Sequence, residues 1–304
     1  QWEAIVVDND PAMGEGEAVR ARFPEIRWGD MPYNAGFGRA NNAGIRLAKG
    51  RYVLILNADT LLKDNVIKRY VDELEARPEL VAVGPYQCAA DGSRMPFYAS
   101  FNALRKSLCI LPPGQLADRL LERVFPEPLY EDPEQFDWLV GAFMLVRYSA
   151  AKASGGFDED FFMYAEDVEW SQRLARFGKL IMPQDAEFIH LENDNPYRRT
   201  HISWINRFGT QMQVSNLLWI RKSYGRLAYL LLILHYITMI PVVYVWKILV
   251  NVRQRKAPFD DLRTQAIFTQ KVGVLCRYFW DTLLLRPKLY KITQRENIDQ
   301  RYTQ

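Results

Sequence analysis

Two short stretches of the sequence place oxygen-bearing side chains where an apolar segment ends. Residues 50–65, GRYVLILNADTLLKDN, run through the apolar segment 52–56 directly into Asn57 and Asp59. A second group follows an aromatic loop and consists of Glu166, Asp167 and Glu169. Such oxygens bind Mg²⁺, which needs only one or two carboxylates when diphosphate oxygens and water complete its shell. A carboxylate can also accept a proton from a hydroxyl group.

Both groups also fit a purely structural role. Asn57 and Asp59 could form a turn and cap the helix that follows them. Acids in the first turn of a helix are stabilised by the helix dipole, which would explain the second group. His190, one of three histidines, could be an ordinary interior residue. Spacing alone leaves these alternatives open.

Short apolar runs alternate with helical patterns along the first two thirds of the chain. Residues 4–10, 52–56 and 80–88 are typical of buried strands, and residues 15–23 and 64–77 are typical of helices. A further helix is predicted to begin near residue 166. This alternation predicts an α/β fold with a mostly parallel sheet flanked by helices. Such sheets bind ligands beyond the carboxyl ends of their strands, which is where Asp8, Asn57 and Asp59 lie.

Composition excludes some classes of function. The apolar fraction of 49% and charged fraction of 25% are ordinary for a globular protein of 304 residues. A net charge of +3 is too small to indicate a nucleic-acid partner. The three cysteines, Cys88, Cys109 and Cys276, lack metal-ligand spacing and favour a reducing, cytoplasmic setting.

Several motifs occur in the order found in a known family. They are VVDN (6–9), NAGFGRANNAGI (34–45), LNADT (56–60), GGFDEDFFMYAEDVEW (155–170) and a later histidine. Together they resemble the family 2 glycosyltransferases with the GT-A fold, and within these the bacterial rhamnosyltransferase-like and galactofuranosyltransferase-like enzymes. The resemblance covers residues 5–192. It implies an inverting, metal-dependent transferase of cell-surface polysaccharide synthesis that uses dTDP-rhamnose, or alternatively UDP-galactofuranose or another UDP-sugar.

The resemblance assigns nucleotide and metal roles to particular positions. Asp8 matches the acid that binds the nucleotide base or its ribose. The stretch that lines the nucleotide site contains Asn34, Gly36 and Asn41. Asp59 matches the metal ligand of the Asp-x-Asp motif, in which Asn57 takes the first place, and His190 matches a late metal-ligand histidine. The expected cofactor is Mg²⁺ or Mn²⁺.

The resemblance also assigns the residues that act on the sugars. Asp167 matches the catalytic base, with Glu166 beside it. Trp138 and Gly141 fall where the acceptor or donor sugar is contacted. The Gln-x-x-Arg-Trp motif of processive synthases is not found in WSQRLARFG (170–178), so we expect addition of one or a few sugars to a saccharide or lipid-linked acceptor.

Two expectations concern the extent of the domain and its rivals. The family usually begins one strand and helix earlier, so residues 1–205 are expected to form an N-terminally incomplete domain. A non-catalytic module that binds sugar nucleotides is therefore an alternative. A dehydrogenase is disfavoured because GFGRANNAG lacks the third glycine of Gly-x-Gly-x-x-Gly. A nucleotidyltransferase, a further alternative, usually has a glycine-rich phosphate loop near its start.

Residues 206–304 are predicted to form a separate helical region. Residues 227–250 are apolar enough to cross a bilayer, basic residues flank them on both sides, and Pro241 is expected to kink the helix. Three interpretations remain: a helix or re-entrant pair at the membrane surface, a true span, or a packing helix in a soluble oligomer. The first would place the protein peripherally on the inner membrane, near a lipid-linked acceptor.

Overall fold

The structure is a computed structural model that describes residues 2–14, 16–62, 65–95, 97–191 and 204–299. Residues 15 and 64, at which two helices were predicted to begin, and residue 192, at the end of the resemblance, lie outside the described residues. The chain divides into two compact units. The sheet unit comprises Gln1–Ala99 and Tyr130–Asn193, and the helical unit comprises Ser100–Leu129 and Asp194–Gln304. The boundary between residues 205 and 206 stays a prediction, and residues 100–129 group with the C-terminal part.

Strands and helices alternate over much of the first two thirds of the chain, as the sequence predicts, although several strands also follow one another directly. The strands are β1 (Ile5–Asp8), β2 (Arg27–Asp30), β3 (Tyr52–Leu56), β4 (Thr60–Leu62), β5 (Leu80–Val83), β6 (Tyr86–Cys88), β7 (Phe143–Arg147), β8 (Lys179–Ile181) and β9 (Glu187–His190). The helices are α1 (Gly16–Arg22), α2 (Phe37–Leu47), α3 (Val66–Ala76), α4 (Phe101–Leu108), α5 (Gln115–Val124), α6 (Tyr148–Ser154), α7 (Glu166–Leu174), α8 (Thr210–Arg253), α9 (Arg263–Arg277) and α10 (Phe279–Leu283).

The strands form mixed sheets. β1 and β2 are a parallel pair, a second sheet has the order β3-β7-β5-β8, and a third has the order β4-β9-β6. The α/β class is as predicted, but the sheets are less uniformly parallel than expected because β7 runs antiparallel to both β3 and β5. The chain reaches β7 from residues 100–129 of the helical unit rather than through a β-α crossover, and it is such a crossover that makes neighbouring strands parallel.

The predicted strand over residues 80–88 is two strands in two sheets. Pro85 cannot donate a hydrogen bond to a strand ladder, so pairing stops between β5 and β6. Gly84 lies so close to β7 that an added Cβ would be 3.0 Å from the Phe143 carbonyl oxygen. The break lets β6 pair with β9 and brings that sheet to the candidate site.

The core lies on both faces of the β3-β7-β5-β8 sheet. Side chains of β7 alternate between the faces, with Met144 and Val146 in a cluster that includes Trp170 of α7. Phe143 lies in the other cluster with Tyr70 of α3. Burial on both sides explains why this strand is a continuous apolar run rather than an alternating one.

Residues 101–133, a stretch rich in proline, leucine and arginine without a clear hydrophobic period, contain α4 and α5. Ser100 caps α4 because its hydroxyl accepts a hydrogen bond from the Ala103 N–H at 2.9 Å. α5 has no buried residue, so its apolar side chains pack against no core within the described residues. Both helices are short and lie between prolines, which made the segment look irregular in sequence.

The helical unit is built on α8, which has 44 residues and bends at Gly225, where φ is 84° and ψ is −174°. The kink expected at Pro241 is not found, since Gly225 is where the backbone leaves helical geometry within the described part of α8. Residues 213–220 are buried on every side, whereas the half after Gly225 is buried on one face. By length and composition α8 could cross a membrane: its most apolar 18 residues have a mean hydropathy of 2.0, and 28% of them are buried.

Candidate active site

The turn between β3 and β4 places Asn57 and Asp59. The Asn57 N–H donates to the Ala142 carbonyl at 3.0 Å, and the Thr60 hydroxyl donates to the Asn57 carbonyl at 2.8 Å. β4 follows at once, and the helix after it is capped by Asn65, whose side chain accepts from the Lys68 N–H at 3.4 Å. Helix capping therefore does not explain Asn57 and Asp59.

Asp59 and His190, 131 positions apart, meet across two paired strands. β4 pairs antiparallel with β9, and Thr60 lies opposite His190. His190 Nε2 is 3.0 Å from Asp59 Oδ2 and 3.4 Å from Asn57 Nδ2. The two side chains are 18% and 28% exposed, so the pair is reachable from solvent but largely enclosed. Sequence alone gave no distance between these residues.

Gln87 holds the other ring nitrogen of His190. Its Nε2 is 2.8 Å from His190 Nδ1, because β6 and β9 are parallel neighbours in one sheet. If Gln87 presents its NH₂ group, Nδ1 accepts and the Nε2–H donates to Asp59. If the amide is turned over, its oxygen accepts from Nδ1–H and the Nε2 lone pair faces Asp59. Sequence reasoning missed Gln87, whose only signal was a polar residue within an apolar strand.

The Asp59–His190 pair fits a divalent cation. Two neighbouring ligands of an octahedral ion at about 2.1 Å lie about 3 Å apart, and Asp59 Oδ2 and His190 Nε2 are 3.0 Å apart. Within the part of the chain that the structure describes, no group of three or more His, Cys, Asp or Glu could hold a metal. The pair therefore suits an ion that takes its remaining ligands from diphosphate and water.

The second acidic group begins α7. The Gly141 N–H donates to Asp167 Oδ2 at 3.0 Å, and the Val168 N–H donates to Asp167 Oδ1 at 2.9 Å. The two residues before the acids, Tyr164 and Ala165, have φ values of 71° and 60°. Left-handed backbone at two consecutive residues with side chains costs energy and persists only where surrounding structure enforces it. The turn that presents Glu166 and Asp167 is thus strained.

The two adjacent acids differ in their surroundings. Glu166 is 5% exposed, and within the described part of the chain its Oε2 has no hydrogen-bond partner. Burial and the neighbouring Asp167 carboxylate raise the pKa of Glu166 well above its usual range. Burial also raises the pKa of Asp167, but two backbone N–H groups favour its ionised form. The proton therefore resides on Glu166, and Asp167 is the ionised member of the pair.

Glu169, the third acid, has a structural role. Both of its carboxylate oxygens accept from the Arg173 guanidinium, at 2.8 Å and 2.6 Å. This paired carboxylate is not available as a base. Glu169 therefore has a structural role in an ion pair. Ala165, the N-cap residue of α7, makes no side-chain hydrogen bond to the helix.

The turn at Gly141 and Ala142 joins the two acidic groups. Asn57 bonds to the Ala142 carbonyl, and Asp167 bonds to the Gly141 N–H. A Cβ on Gly141 would lie 3.0 Å from Phe37 Cε1 and 3.4 Å from Asp167 Cβ, so a larger residue would displace one of them. Asn57, two residues before Asp59, and Asp167 are therefore bonded to consecutive residues of one turn.

The glycine- and asparagine-rich segment packs on the loop before α7. Gly36 has φ +84°, and a Cβ there would be 2.2 Å from the Phe162 carbonyl oxygen, to which the Phe37 N–H donates at 2.9 Å. Asn34 Oδ1 accepts from Asn9 Nδ2 at 3.4 Å and from the Gly36 N–H at 3.3 Å. This segment thus fixes the start of α2 against the acidic loop.

Asn41 and its neighbour Asn42 play different parts. Asn41 Nδ2 donates to the Phe37 carbonyl within α2 at 3.0 Å. Asn42 is buried and exchanges two 2.9 Å hydrogen bonds with the backbone of Phe157. Sequence reasoning missed Asn42, which ties α2 to the loop 155–162, although a second asparagine on the apolar face of a helix was a visible signal.

Asp8 and Trp138 are placed by local contacts. Asp8 ends β1 and accepts from the Asp10 N–H at 3.0 Å. Trp138 Nε1 donates to the Tyr98 carbonyl at 2.6 Å, and its ring stacks on Phe97 at a centroid distance of 4.4 Å. Within the described residues, no hydrogen bond joins Asp8 or Trp138 to the acids of the two groups. Their predicted ligand roles stay predictions.

Comparison with known proteins identifies similar sequences. Residues 1–149 match the model of the family described as Glycosyl transferase family 2. An N-acetylglucosaminyl-diphospho-decaprenol L-rhamnosyltransferase of Mycobacterium tuberculosis is 29% identical over 200 residues, which is 61% of this chain and 65% of that protein. The rhamnosyltransferase WbbL of Escherichia coli is 27% identical over 47% of this chain and 55% of its own. The chain thus spans less than two thirds of the length of these relatives.

A solved structure is also similar. The mannosyltransferase PcManGT from Pyrobaculum calidifontis, in complex with GDP-Man and Mn²⁺, superposes with a TM-score of 0.47 and 15% identity. The superposition covers 94% of this chain and 79% of that one.

Proposed function

Residues 1–149 match the model of glycosyltransferase family 2, and from this match we propose that the chain transfers one sugar from a nucleoside diphosphate to an acceptor hydroxyl. The match confirms the predicted resemblance. We propose L-rhamnose as the sugar and dTDP as the carrier, supported by the names of two relatives. Galactofuranose or another sugar carried by UDP is the alternative.

One observation supports this function most strongly. The turn at Gly141 and Ala142 fixes an ionised carboxylate, Asp167, and a cation-binding pair, Asp59 with His190, relative to each other. A glycosyl transfer needs a base at the acceptor hydroxyl and positive charge at the departing diphosphate. We assign the first role to Asp167 and the second to Asp59 with His190.

The chemical step follows from this arrangement. The acceptor oxygen bonds to the anomeric carbon on the face opposite the diphosphate, the bond from that carbon to the diphosphate oxygen breaks, and the configuration inverts. Asp167 accepts the hydroxyl proton. Because its pKa is raised by burial, this carboxylate is a stronger base than an exposed aspartate. Glu166, protonated, keeps a second negative charge away from the attacking oxygen.

Asp59 and His190 are the residues that would bind Mg²⁺ or Mn²⁺, with the Asn57 amide beside them. When bound, the cation would neutralise charge that develops on the leaving nucleoside diphosphate. His190 can ligate through Nε2 only when Gln87 accepts a hydrogen bond from Nδ1–H, so Gln87 determines the orientation and tautomer of the ligand.

The acceptor and the location complete the proposal. We propose a saccharide linked to a lipid diphosphate as acceptor, because one relative is named for such a substrate. Such an acceptor is anchored in a bilayer, which would place the protein at the cytoplasmic face of the bacterial plasma membrane during polysaccharide synthesis. The long apolar helix α8 is compatible with that location.

Donor turnover tests the proposal. Release of nucleoside diphosphate from dTDP- and UDP-sugars is measured with Mg²⁺ or Mn²⁺, with and without EDTA, for the protein and for Asp59→Ala and Asp167→Asn. Asp72→Asn is the matched control, since Asp72 is an exposed acid that pairs with Lys68 on α3. We expect cation-dependent turnover of one donor, retained in the control and reduced at least about 100-fold in both site variants.

Two results would contradict the proposal. Donor binding that persists in Asp167→Asn, with no turnover in any form of the protein, would indicate a non-catalytic module that binds sugar nucleotides. Turnover that is unaffected by EDTA and by Asp59→Ala would remove the cation from the mechanism.

A further inference from the structure

Charge is distributed unevenly along the chain. Residues 206–304 contain 16 Lys and Arg against 5 Asp and Glu, whereas residues 1–205 contain 23 against 31. The small overall charge of +3 conceals this difference. The part of the chain that includes α8 is therefore strongly basic, and it suits an anionic partner.

The second half of α8 exposes an apolar stripe. After the bend at Gly225, large apolar side chains recur every three or four residues on one face. The most exposed are Leu227, Leu231, Leu234, Val245, Leu249 and Val252, each at least 55% exposed. We call this set the apolar stripe. It extends over about 38 Å at 1.5 Å per residue, far beyond the scattered apolar residues of an ordinary surface.

The opposite face of the same helical half is covered by protein along its length. The Tyr229 hydroxyl lies 2.7 Å from Thr282 Oγ1 of α10. His235 Nε2 accepts from the Ile110 N–H at 2.9 Å. Near the end of the helix, Asn251 Nδ2 donates to the carbonyl of Asp260 at 2.7 Å.

These contacts argue against a membrane span. Ile110 lies in the loop between α4 and α5, and Asp260 lies in the loop between α8 and α9. The helices next to these loops contain charged residues. If α8 crossed the bilayer, the exposed loop residues Pro113 and Gly114, which follow Ile110, would lie beside the hydrocarbon, where irregular backbone exposed to lipid does not occur. A helix covered on one face and open on the other instead fits the boundary between headgroups and acyl chains.

Basic residues at both ends of the stripe favour the same orientation. Arg226 precedes the stripe, and Arg253, Arg255 and Lys256 follow it, all exposed. A span would separate the two groups by the bilayer. A helix in the membrane plane lets both groups contact the headgroups of one leaflet, each basic residue adding to the attraction.

We propose that the second half of α8 lies in the plane of an anionic bilayer surface, with the apolar stripe among the upper acyl segments and its basic ends on phospholipid headgroups. A second copy of the chain fits this face less well. Both ends of the stripe are basic, so a symmetric pairing would place like charges together in either direction. An apolar cleft of about 250 Å³ on the stripe, lined by Pro241, Val242, Val245, Trp246 and Leu249, accommodates acyl segments.

This attachment specifies the proposed location at the membrane, but it does not depend on sugar transfer. Flotation with vesicles reports attachment, and donor turnover in solution reports the chemistry. A failure of one is therefore distinguishable from a failure of the other.

The test is flotation of the purified protein with vesicles of phosphatidylcholine alone or with 30% phosphatidylglycerol, a composition of about one anionic lipid in three. We expect at least tenfold more protein to float with the anionic vesicles than with phosphatidylcholine alone. Carbonate should release most of the bound protein. Leu231→Glu with Leu234→Glu should abolish flotation. The matched control is Met13→Glu with Phe177→Glu, two exposed apolar residues of the sheet unit, which should float like the unchanged protein.

A second variant tests the basic end without touching the stripe. Arg253→Gln, Arg255→Gln and Lys256→Gln together should reduce flotation with anionic vesicles severalfold, and salt should reduce what remains less than in the unchanged protein. Protein that resists carbonate would indicate a span. Protein that ignores both vesicles and forms a dimer disrupted by the stripe variant would indicate a second copy. Either result overturns the proposal.

Discussion

Neighbouring residues of the same chemical type take different states in this site because their hydrogen bonds differ. Asp167 accepts two backbone N–H groups, whereas Oε2 of the adjacent Glu166 is buried without a hydrogen-bond partner among the described residues. Backbone donors stabilise a carboxylate, and burial of an unpartnered oxygen favours the protonated acid. The difference between the two acids is thus set by the turn at Gly141 and the start of α7.

We predict that Glu166→Gln increases stability at neutral pH. Because the folded-state pKa of Glu166 is raised, unfolding ionises this residue, and stability falls as the pH rises from the unfolded pKa, near about 4.3, toward the folded one. Glutamine does not titrate, so the gain should be absent at and below that lower limit and grow above it. Urea unfolding between pH 4 and 8 measures the difference.

Glu169→Gln provides the matched control for this prediction. Glu169 pairs with Arg173 through both oxygens, so its removal should lower the free energy of unfolding at neutral pH. Equal stability of Glu166→Gln and the unchanged protein at every pH would show that Glu166 is not held protonated by its surroundings.

We predict that Gln87→Leu lowers the affinity for Mn²⁺ by about 10- to 100-fold, because the Nδ1 atom of His190 would lose its hydrogen-bond partner. Gln87→Glu should retain or increase the affinity, since a carboxylate accepts from Nδ1–H. Titration of Mn²⁺ followed by electron paramagnetic resonance, with donor diphosphate present, gives both values. Equal affinities in all three proteins would contradict the positioning role.

At the scale of elements, the site depends on how closely α2 approaches the loop before α7. The amide of Asn42 donates a hydrogen bond to that loop. Gly36 lies so close to the loop that an added Cβ would clash with the Phe162 carbonyl oxygen. The left-handed φ of Gly36 and the position of Phe162 both require a glycine. α2 therefore acts as a support for the acidic turn as well as a part of the predicted nucleotide segment.

Gly36→Ala should cost more than about 3 kcal/mol of stability, because strain in the left-handed region adds to a clash with the Phe162 carbonyl. Gly14→Ala is the matched control. Gly14 also has a positive φ, of +72°, but nothing lies within 4 Å of an added Cβ. Gly14→Ala should therefore lower the free energy of unfolding only by the backbone strain, about 1 kcal/mol. Thermal unfolding of both variants tests this, and equal costs would exclude the clash.

The location of the bend in α8 illustrates the same dependence on surroundings. Pro241 is exposed and keeps helical geometry, whereas Gly225 adopts a positive φ. Gly225 separates the half that contains the buried residues 213–220 from the half with the apolar stripe. The bend therefore lies where the burial of the helix changes.

At the scale of the whole molecule, a buried ion pair joins parts of the chain that are distant in sequence. In the helical unit, Lys271 Nζ lies 2.5 Å from Asp299 Oδ1, and the two side chains are 2% and 7% exposed. Asp299 Oδ2 also accepts from the Thr210 N–H at 2.6 Å and so caps α8 from 89 residues away. The C-terminal segment is therefore part of the fold of α8.

Lys271→Met should destabilise the helical unit by about 3 to 5 kcal/mol, because it leaves the Asp299 carboxylate buried and unpaired. Burial lowers the pKa of Lys271, which shows the cost of keeping its charge in this place. Lys271→Met combined with Asp299→Asn should recover part of the loss, since the amide can still cap Thr210. Chemical unfolding of the single and double variants measures the coupling, which would be absent if the pair contributed nothing.

Several features could be read from the sequence alone. The alternation of apolar runs with helical patterns predicted the α/β class, because hydrophobic period follows directly from local geometry. The ordered motifs predicted the family whose model matches residues 1–149. The apolar length of α8 was equally visible.

The tertiary structure alone decided which residues meet and in which state. The separation of 3.0 Å between Asp59 and His190 depends on strand pairing across 131 positions, and such pairing has no local signature. The contact of Gln87 with His190 depends on the break at Pro85. The ionisation of Asp167 beside a protonated Glu166 depends on burial and backbone donors brought by the chain near residue 141. Proximity, burial and pKa are properties of the folded arrangement, because each depends on groups far apart in sequence.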